Sequence, residues 1–275
     1  MPDDTIRRLI APAASVALAG ALLGAPSARA LEAAPPGVDA RAVAERVEDN
    51  LRGVRTSTGR ATMTVVSPRL PEPREVGFRY WEDRASERSF IRILAPPKDA
   101  GMGFLKIPPN LWNYIPRVER TVRIPPSMML QSWMGSDLTN DDLVRESSTL
   151  DDYDHTLLGV EPALPVEGGA PRRALVLEYV PHEDAPVVWG RIVSAVDAER
   201  YVPLQQDFYD EDGSHIRRLR MGRIERIGER WYPRLWSVVP MEKEGHETRL
   251  AWDEVAFDVP IDESVFTKRN LGRPE

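Results

Sequence analysis

From residue 60 onward, apolar side chains recur at every second position, and that period of two commits the chain to β-sheet. In residues 60–66, Ala61, Met63 and Val65 share one face while Thr62 and Thr64 take the other. In residues 76–82, Val76, Phe78 and Tyr80 share a face, and residues 89–94, 174–180, 187–196, 204–209, 231–239 and 248–257 read as further strands. Turn chemistry separates the later runs: Asp212-Gly213, Gly228-Glu229 and Glu244-Gly245 each suit a hairpin, so the last third reads as an antiparallel meander. Pro, at 25 residues, outnumbers Gly at 18, which also favours short strands and loops over long helices. Roughly eight to eleven antiparallel strands are expected, and they must hide their edges in a sandwich or in a curved, closed or partly closed barrel. No repeat or break in composition divides residues 37–275, which read as a single, mainly β domain.

The N-terminal part breaks this pattern. Arg7 and Arg8 precede an apolar stretch at residues 9–24, and Ala28-Arg29-Ala30 has the small-x-small form that precedes signal-peptidase cleavage. Residues 1–30 are therefore expected to be a secretory signal peptide, cleaved after Ala30, and residues 31–36 a short linker. One helix follows. Asp39 suits its N-cap, Val43, Val47 and Leu51 repeat at i+4, and Gly53 stands where a C-terminal glycine cap belongs. The expected product is exported, soluble and periplasmic.

Composition excludes several functions. The 275 residues carry a formal charge of −7, which argues against nucleic acid as a partner. There is no cysteine, and so no disulfide, thiolate metal site or lipid-modified Cys. His155, His182, His215 and His246 stand in no metal-ligand spacing. The acidic run at Asp137, Asn140, Asp141 and Asp142 fails the calcium-loop pattern, and helix capping by Ser136 or Asp137 explains it better. Neither a G-x-S-x-G elbow nor a phosphate-cradling glycine loop is present, and no cofactor is expected.

Residues 101–150 have unusual apolar content. Pro125-Pro126 should stop a strand and Ser127 can cap a helix. Met129, Leu130, Trp133 and Met134 would then share one face of a helix over residues 127–134, bounded by Gly135. Phe104, Leu111, Trp112, Tyr114 and Ile115 add aromatic and aliphatic surface on short strands just upstream. Two readings stay open on composition alone: these residues fill a core, or they make a Met- and Trp-rich wall for apolar ligands of variable shape.

The strings GFLKIPPNLWNYIP and RIPPSMMLQSWMGSDLTNDDLV resemble the signature of the outer-membrane lipoprotein-sorting proteins, the LolA-like carriers. The similarity runs from about residue 40 to the C-terminus and includes IDESVFTKRNL. The resemblance implies an incomplete antiparallel β-barrel with helices covering its concave apolar face. It also implies periplasmic carriage of lipoproteins or lipids toward the outer membrane, beside an inner-membrane transporter of the RND or MMPL type. On that footing Phe104, Trp112, Tyr114, Met128, Met129, Leu130, Trp133 and Met134 are assigned to the groove and its lid, in a chain expected to be monomeric and not an enzyme. Arg117, Arg120 and Arg123 could meet a lipid headgroup, a membrane surface or a partner, or could be solvated strand charges. Arg218 and Arg220 belong to a second basic run, with Arg217 and Arg223. Two alternatives remain: an exported lipid-active hydrolase on the same fold, and a pump-docking subunit without cargo.

Overall fold

The computed structural model describes residues 31–52, 55–144, 149–185 and 187–273. The expected signal peptide and the glycine cap at Gly53 lie outside the described residues. Helix α1 (Ala40–Arg52) starts where the sequence places it. Asp39 accepts the Arg41 backbone N–H on its side chain at 3.0 Å and the Val43 N–H on its carbonyl at 3.1 Å. Ala40, Val43, Ala44 and Val47 form the buried stripe.

Among the described residues, thirteen strands make one sheet in which every neighbouring pair runs antiparallel. They are β1 (Thr56–Val66), β2 (Arg74–Asp83), β3 (Arg88–Ala95), β4 (Gly103–Ile107), β5 (Asn110–Ile115) and β6 (Arg120–Arg123), then β7 (Tyr153–Leu164), β8 (Arg172–Pro181), β9 (Arg191–Asp197), β10 (Pro203–Tyr209), β11 (His215–Ile227), β12 (Arg230–Pro240) and β13 (Glu247–Phe257). The sheet order is β6-β5-β4-β3-β2-β1-β13-β12-β11-β10-β9-β8-β7. Two meanders therefore meet at one seam, β1 with β13, and the curved sheet stays open between edges β6 and β7. The three hairpin glycines, Gly213, Gly228 and Gly245, all have φ between 60° and 82°, as their turns require.

The sheet exceeds the expected strand count mainly through β6 and β7. Strand β6 is exposed at every residue, and β7 is interrupted by register shifts at Leu157/Gly159 and Glu161/Leu164, so neither shows a clean alternation.

The inner face carries two clusters. One packs α1 against β7–β10 through Val43, Val47, Leu177, Tyr179 and Phe208. The other centres on Met63, Val76, Phe78, Phe104 and Trp133. The outer face of β3–β5 is also covered, by a C-terminal segment with a 3-10 turn (Glu263–Phe266) and helix α3 (Lys268–Leu271). Arg92, buried on β3, holds that segment by donating to the carbonyls of Gly101 at 2.8 Å, Asn270 at 2.8 Å and Leu271 at 3.0 Å. No helix among the described residues is long and apolar enough to cross a membrane.

The expected helix over residues 127–134 is absent. A 3-10 turn covers Pro126–Met128 and a tight hairpin follows, bridged at Ser132 and Thr139. Met134 and Gly135 sit at φ 51° and 68°, and the Ser136 N–H closes on the Trp133 carbonyl at 2.9 Å. Two successive left-handed residues make a hairpin turn and cannot continue a right-handed helix. The short helix here is α2 (Asn140–Val144), and its cap is Thr139, not Ser136 or Asp137. The Thr139 N–H donates to Asp142 Oδ2 at 2.8 Å, and the Asp142 N–H returns to Thr139 Oγ1 at 3.2 Å.

Candidate functional site

Between the concave sheet, α1 and the hairpin-α2 segment lies a cavity of about 350 Å³. Alternation along the central strands supplies its walls. Strand β2 contributes Phe78 and Tyr80, β12 contributes Tyr232 and Trp236, and β13 contributes Leu250 and Trp252, while Ala44, Val47 and Leu51 close it from α1. Trp133, only 2% exposed, descends from the hairpin as the roof. Its indole meets Phe78 edge-on at 5.8 Å and Phe104 at 5.6 Å between ring centroids. Trp252 meets Phe78 and Trp236, each at 6.0 Å. Such edge-to-face contacts add about 0.5–1.5 kcal/mol per pair beyond burial and hold the walls in shape.

The charged groups lining the cavity fall in two places, one around Glu48, Arg52 and Glu82 and the other at the Arg217–Asp142 pair. Across β1–β4 the register aligns Ser57, Glu82, Ser89 and Lys106 in a single row. Glu82 accepts from Arg52 Nη2 at 2.7 Å and from Ser57 Oγ at 3.0 Å, and Arg52 also faces Glu48 at 3.7 Å. Burial disfavours the Arg52 charge, but Glu82 and Glu48 outweigh it and hold the guanidinium above its ordinary pKa. Tyr80, Tyr179 and Tyr232 are pushed well above the usual phenol range, first by burial, so the aromatic wall carries no phenolate.

Two ties fasten the roof. Asp137 accepts from Thr248 Oγ1 at 2.8 Å and returns its own N–H to that oxygen at 2.9 Å. Arg217, on β11, grips Asp142 with both terminal nitrogens, at 2.8 and 2.7 Å. Its guanidinium lies 4.6 Å from the ring centres of both Trp189 and Phe208. Asp142 thus caps α2 and anchors it to the sheet with one carboxylate.

Of the residues assigned from the sequence, Trp133 lines the cavity, Phe104 supports it, and Met129 and Met134 pack against the same inner cluster. Trp112 and Tyr114 do not join them. On β5 they alternate with Leu111 and Asn113, so they face the opposite side and pack with Phe266 and Leu271. Lys268 stands 3.2 Å above the Trp112 ring. Met128 and Leu130 turn outward, 39% and 68% exposed. Arg117, Arg120 and Arg123 are exposed around β6, and Arg123 donates to Asn110 Oδ1 at 3.1 Å. Arg218 is committed to Asp207, at 2.6 and 3.2 Å, whereas Arg220 is exposed. Sequence reasoning missed the walls on β2, β12 and β13 and the Arg217–Asp142 tie. The inward parity of Phe78, Tyr80 and Trp252 was the available signal for the walls.

Among the described residues no cluster of His, Asp or Glu could hold a metal ion. One other constellation stands beside the roof: Ser67 Oγ lies 3.2 Å from His246 Nε2, and His246 Nδ1 lies 3.6 Å from Asp137 Oδ1.

A family model described as "-like: Uncharacterized protein" matches residues 85–273. No curated protein matches the chain. Among solved structures, a domain from Vibrio parahaemolyticus described as outer membrane lipoprotein-sorting superposes with TM-score 0.71 at 20% identity, over 85% of this chain and 98% of that one. A DUF1329 family protein from Desulfovibrio piger gives 0.73 at 23% identity, covering 84% and 97%. A LolA superfamily protein from Nitrosomonas europaea gives 0.67 at 18% identity, covering 85% and 99%. The chain thus belongs to the family that this model defines, and its open curved sheet is the LolA-like fold.

Proposed function

We infer that this protein is a periplasmic carrier that shelters the acyl chains of a lipid or lipoprotein in the cavity beneath α1 and the hairpin roof. The observation that carries the reading is the cavity itself: a largely aromatic and aliphatic chamber whose charges fall in two groups, around Glu82 and at the Arg217–Asp142 pair, within the roughly 300–1,000 Å³ range of ligand pockets. An acyl chain of about 14–16 carbons gains on the order of 10 kcal/mol on leaving water, which a covered apolar chamber can supply. The lipoprotein-sorting description of the Vibrio domain supports the same cargo class. With no nucleotide-binding motif in the sequence, directional movement rests on relative affinities along the route, from an inner-membrane transporter of the RND or MMPL type toward the outer membrane. The carrier acts as a monomer.

The test is uptake of a fluorescent acyl probe, paired with native mass spectrometry of the protein isolated from the periplasm. Trp133→Gln and Met129→Gln should lower uptake at least tenfold while far-ultraviolet circular dichroism and a cooperative urea transition show the sheet still folded. Unchanged uptake in both variants would remove the roof from the binding site. A wild-type protein that takes up no probe and copurifies with no lipid would instead favour a pump-docking subunit.

A second reading, ester hydrolysis, is favoured by the Ser67–His246–Asp137 alignment, in which His246 could take the Ser67 proton. Against it, Ser67 Oγ already accepts the Arg69 backbone N–H at 3.3 Å, and Asp137 is engaged by Thr248. Labelling of Ser67 by a fluorophosphonate, abolished in Ser67→Ala, would establish it.

A further inference from the structure

We propose that the β6 edge and the turn after it, residues 117–130, form a docking face for an anionic lipid bilayer. Ten large hydrophobic residues are markedly exposed among those described, and four fall in this run: Val118 at 57%, Val122 at 42%, Met128 at 39% and Leu130 at 68%. Interleaved with them are the exposed cations Arg117, Arg120 and Arg123, against a single acid, Glu119. A chain of net charge −7 thus carries a local excess of two positive charges on its most apolar exposed run.

The chemistry fits a membrane surface better than a protein partner. Protein interfaces anchor on aromatic side chains and on arginines that sit in desolvated pockets, whereas Arg117 and Arg120 stand exposed on an edge strand and its approach. This run contains no aromatic residue; its exposed apolar side chains are aliphatic or thioether, and its cations are all guanidinium groups. Aliphatic groups enter the headgroup boundary while cations meet lipid phosphate, the combination by which peripheral segments hold to anionic bilayers. Strand β6 is also the end of the sheet, paired only with β5, so no described element screens it.

The face is joined to the roof of the cavity. The Met128 carbonyl accepts from Asn140 Nδ2 at 3.0 Å, and the Met129 carbonyl accepts the Asp141 N–H at 2.9 Å. The Gln131 carbonyl takes the Asn140 N–H at 3.0 Å. Docking through residues 117–130 therefore brings the hairpin and α2 to the bilayer surface, where cargo would enter or leave. The proposal rests on the carrier reading for its purpose, but its test does not.

The test is cosedimentation of the full protein with vesicles of phosphatidylglycerol in phosphatidylcholine, and with vesicles of phosphatidylcholine alone. Acyl-probe uptake is measured on the same samples. Binding is expected only to the anionic vesicles and should fall steeply with added salt. Each Arg→Gln change should weaken it about fivefold, and R117Q/R120Q/R123Q on the order of a hundredfold, with probe uptake unchanged. Leu130→Ser should weaken it at every salt concentration. Equal binding to both vesicle types, or undiminished binding of the triple variant, would overturn the proposal. So would absence of vesicle binding in a protein that takes up the probe normally, which would leave a protein partner as the occupant. Vesicle binding without probe uptake would support the docking face while sinking the carrier reading.

Discussion

Replacing Asp142 with Asn removes the charge that faces Arg217 while keeping the shape of the side chain. The pair is nearly dry, with side chains 11% and 10% exposed, so little solvent is at hand to compensate. An Asn carbonyl can accept from one guanidinium nitrogen but not from both with a full charge. Losing one charge-assisted bond and the ionic attraction costs about 2–3 kcal/mol, below the roughly 3–5 kcal/mol for deleting a buried partner outright. The cost should appear locally, because the tie fastens a surface segment to a sheet that stands without it. Amide hydrogen exchange reads this directly. The amides of Trp133, Asn140 and Asp141, bonded within the hairpin-α2 segment, should lose protection by about thirty- to a hundred-and-fiftyfold. Amides in β8 and β9 should keep theirs. Pairing Asp142→Leu with Arg217→Met should restore most of the protection, since an apolar pair of similar volume leaves no charge stranded. Unchanged protection in D142N, or equal loss in β8, would refute the view that this pair latches the roof.

Acid stability offers another handle. Burial opposes the Glu247 charge, but hydrogen bonds from Arg249 and Ser237 outweigh it, so its carboxyl sits below the ordinary 4.5. Its stabilising contribution is complete above that value and is lost as pH falls through the folded-state pKa, because the unfolded chain takes up the proton first. Glu247→Gln should therefore flatten the fall of urea midpoint below about pH 4.5; an unaltered acid limb would contradict it. Arg92→Met strips three carbonyls of one buried donor and should cost about 3 kcal/mol or more. The expected signs are a lower melting temperature and protease cleavage within residues 262–273, and a wild-type proteolysis pattern would argue against the clamp.

Alternation reveals which residues of a strand share a side, and that much of the fold was legible. The strands around Met63, Phe78 and Leu250, the helix begun by Asp39 and the glycine hairpins all follow from local chemistry. Alternation does not say which side is the inside. Trp112 and Tyr114 are assigned to the groove from their aromatic character and the family resemblance, yet a C-terminal segment covers the outer face of β3–β5 and gives that region two buried sides. The residues around Trp133 carried a helical spacing, but Met134-Gly135 turns the backbone left-handed before a helix can form. Arg217 read as part of an exposed basic run. Its burial depends on Asp142, 75 positions away, and no local pattern reports such a partner.

The seam between β1 and β13 sets the order in which this molecule can come into being. Ser57 pairs with Phe257, whereas the other strand contacts join neighbours along the chain. Short-range hairpins close quickly, and the long loop waits. Each meander can therefore assemble alone, β1–β6 from the first half and β7–β13 from the second. The chamber has walls from both, with Phe78 and Tyr80 on one bank and Trp236 and Trp252 on the other. Until the last strand has been delivered and zipped against the first, the protein has two half-shells and no interior.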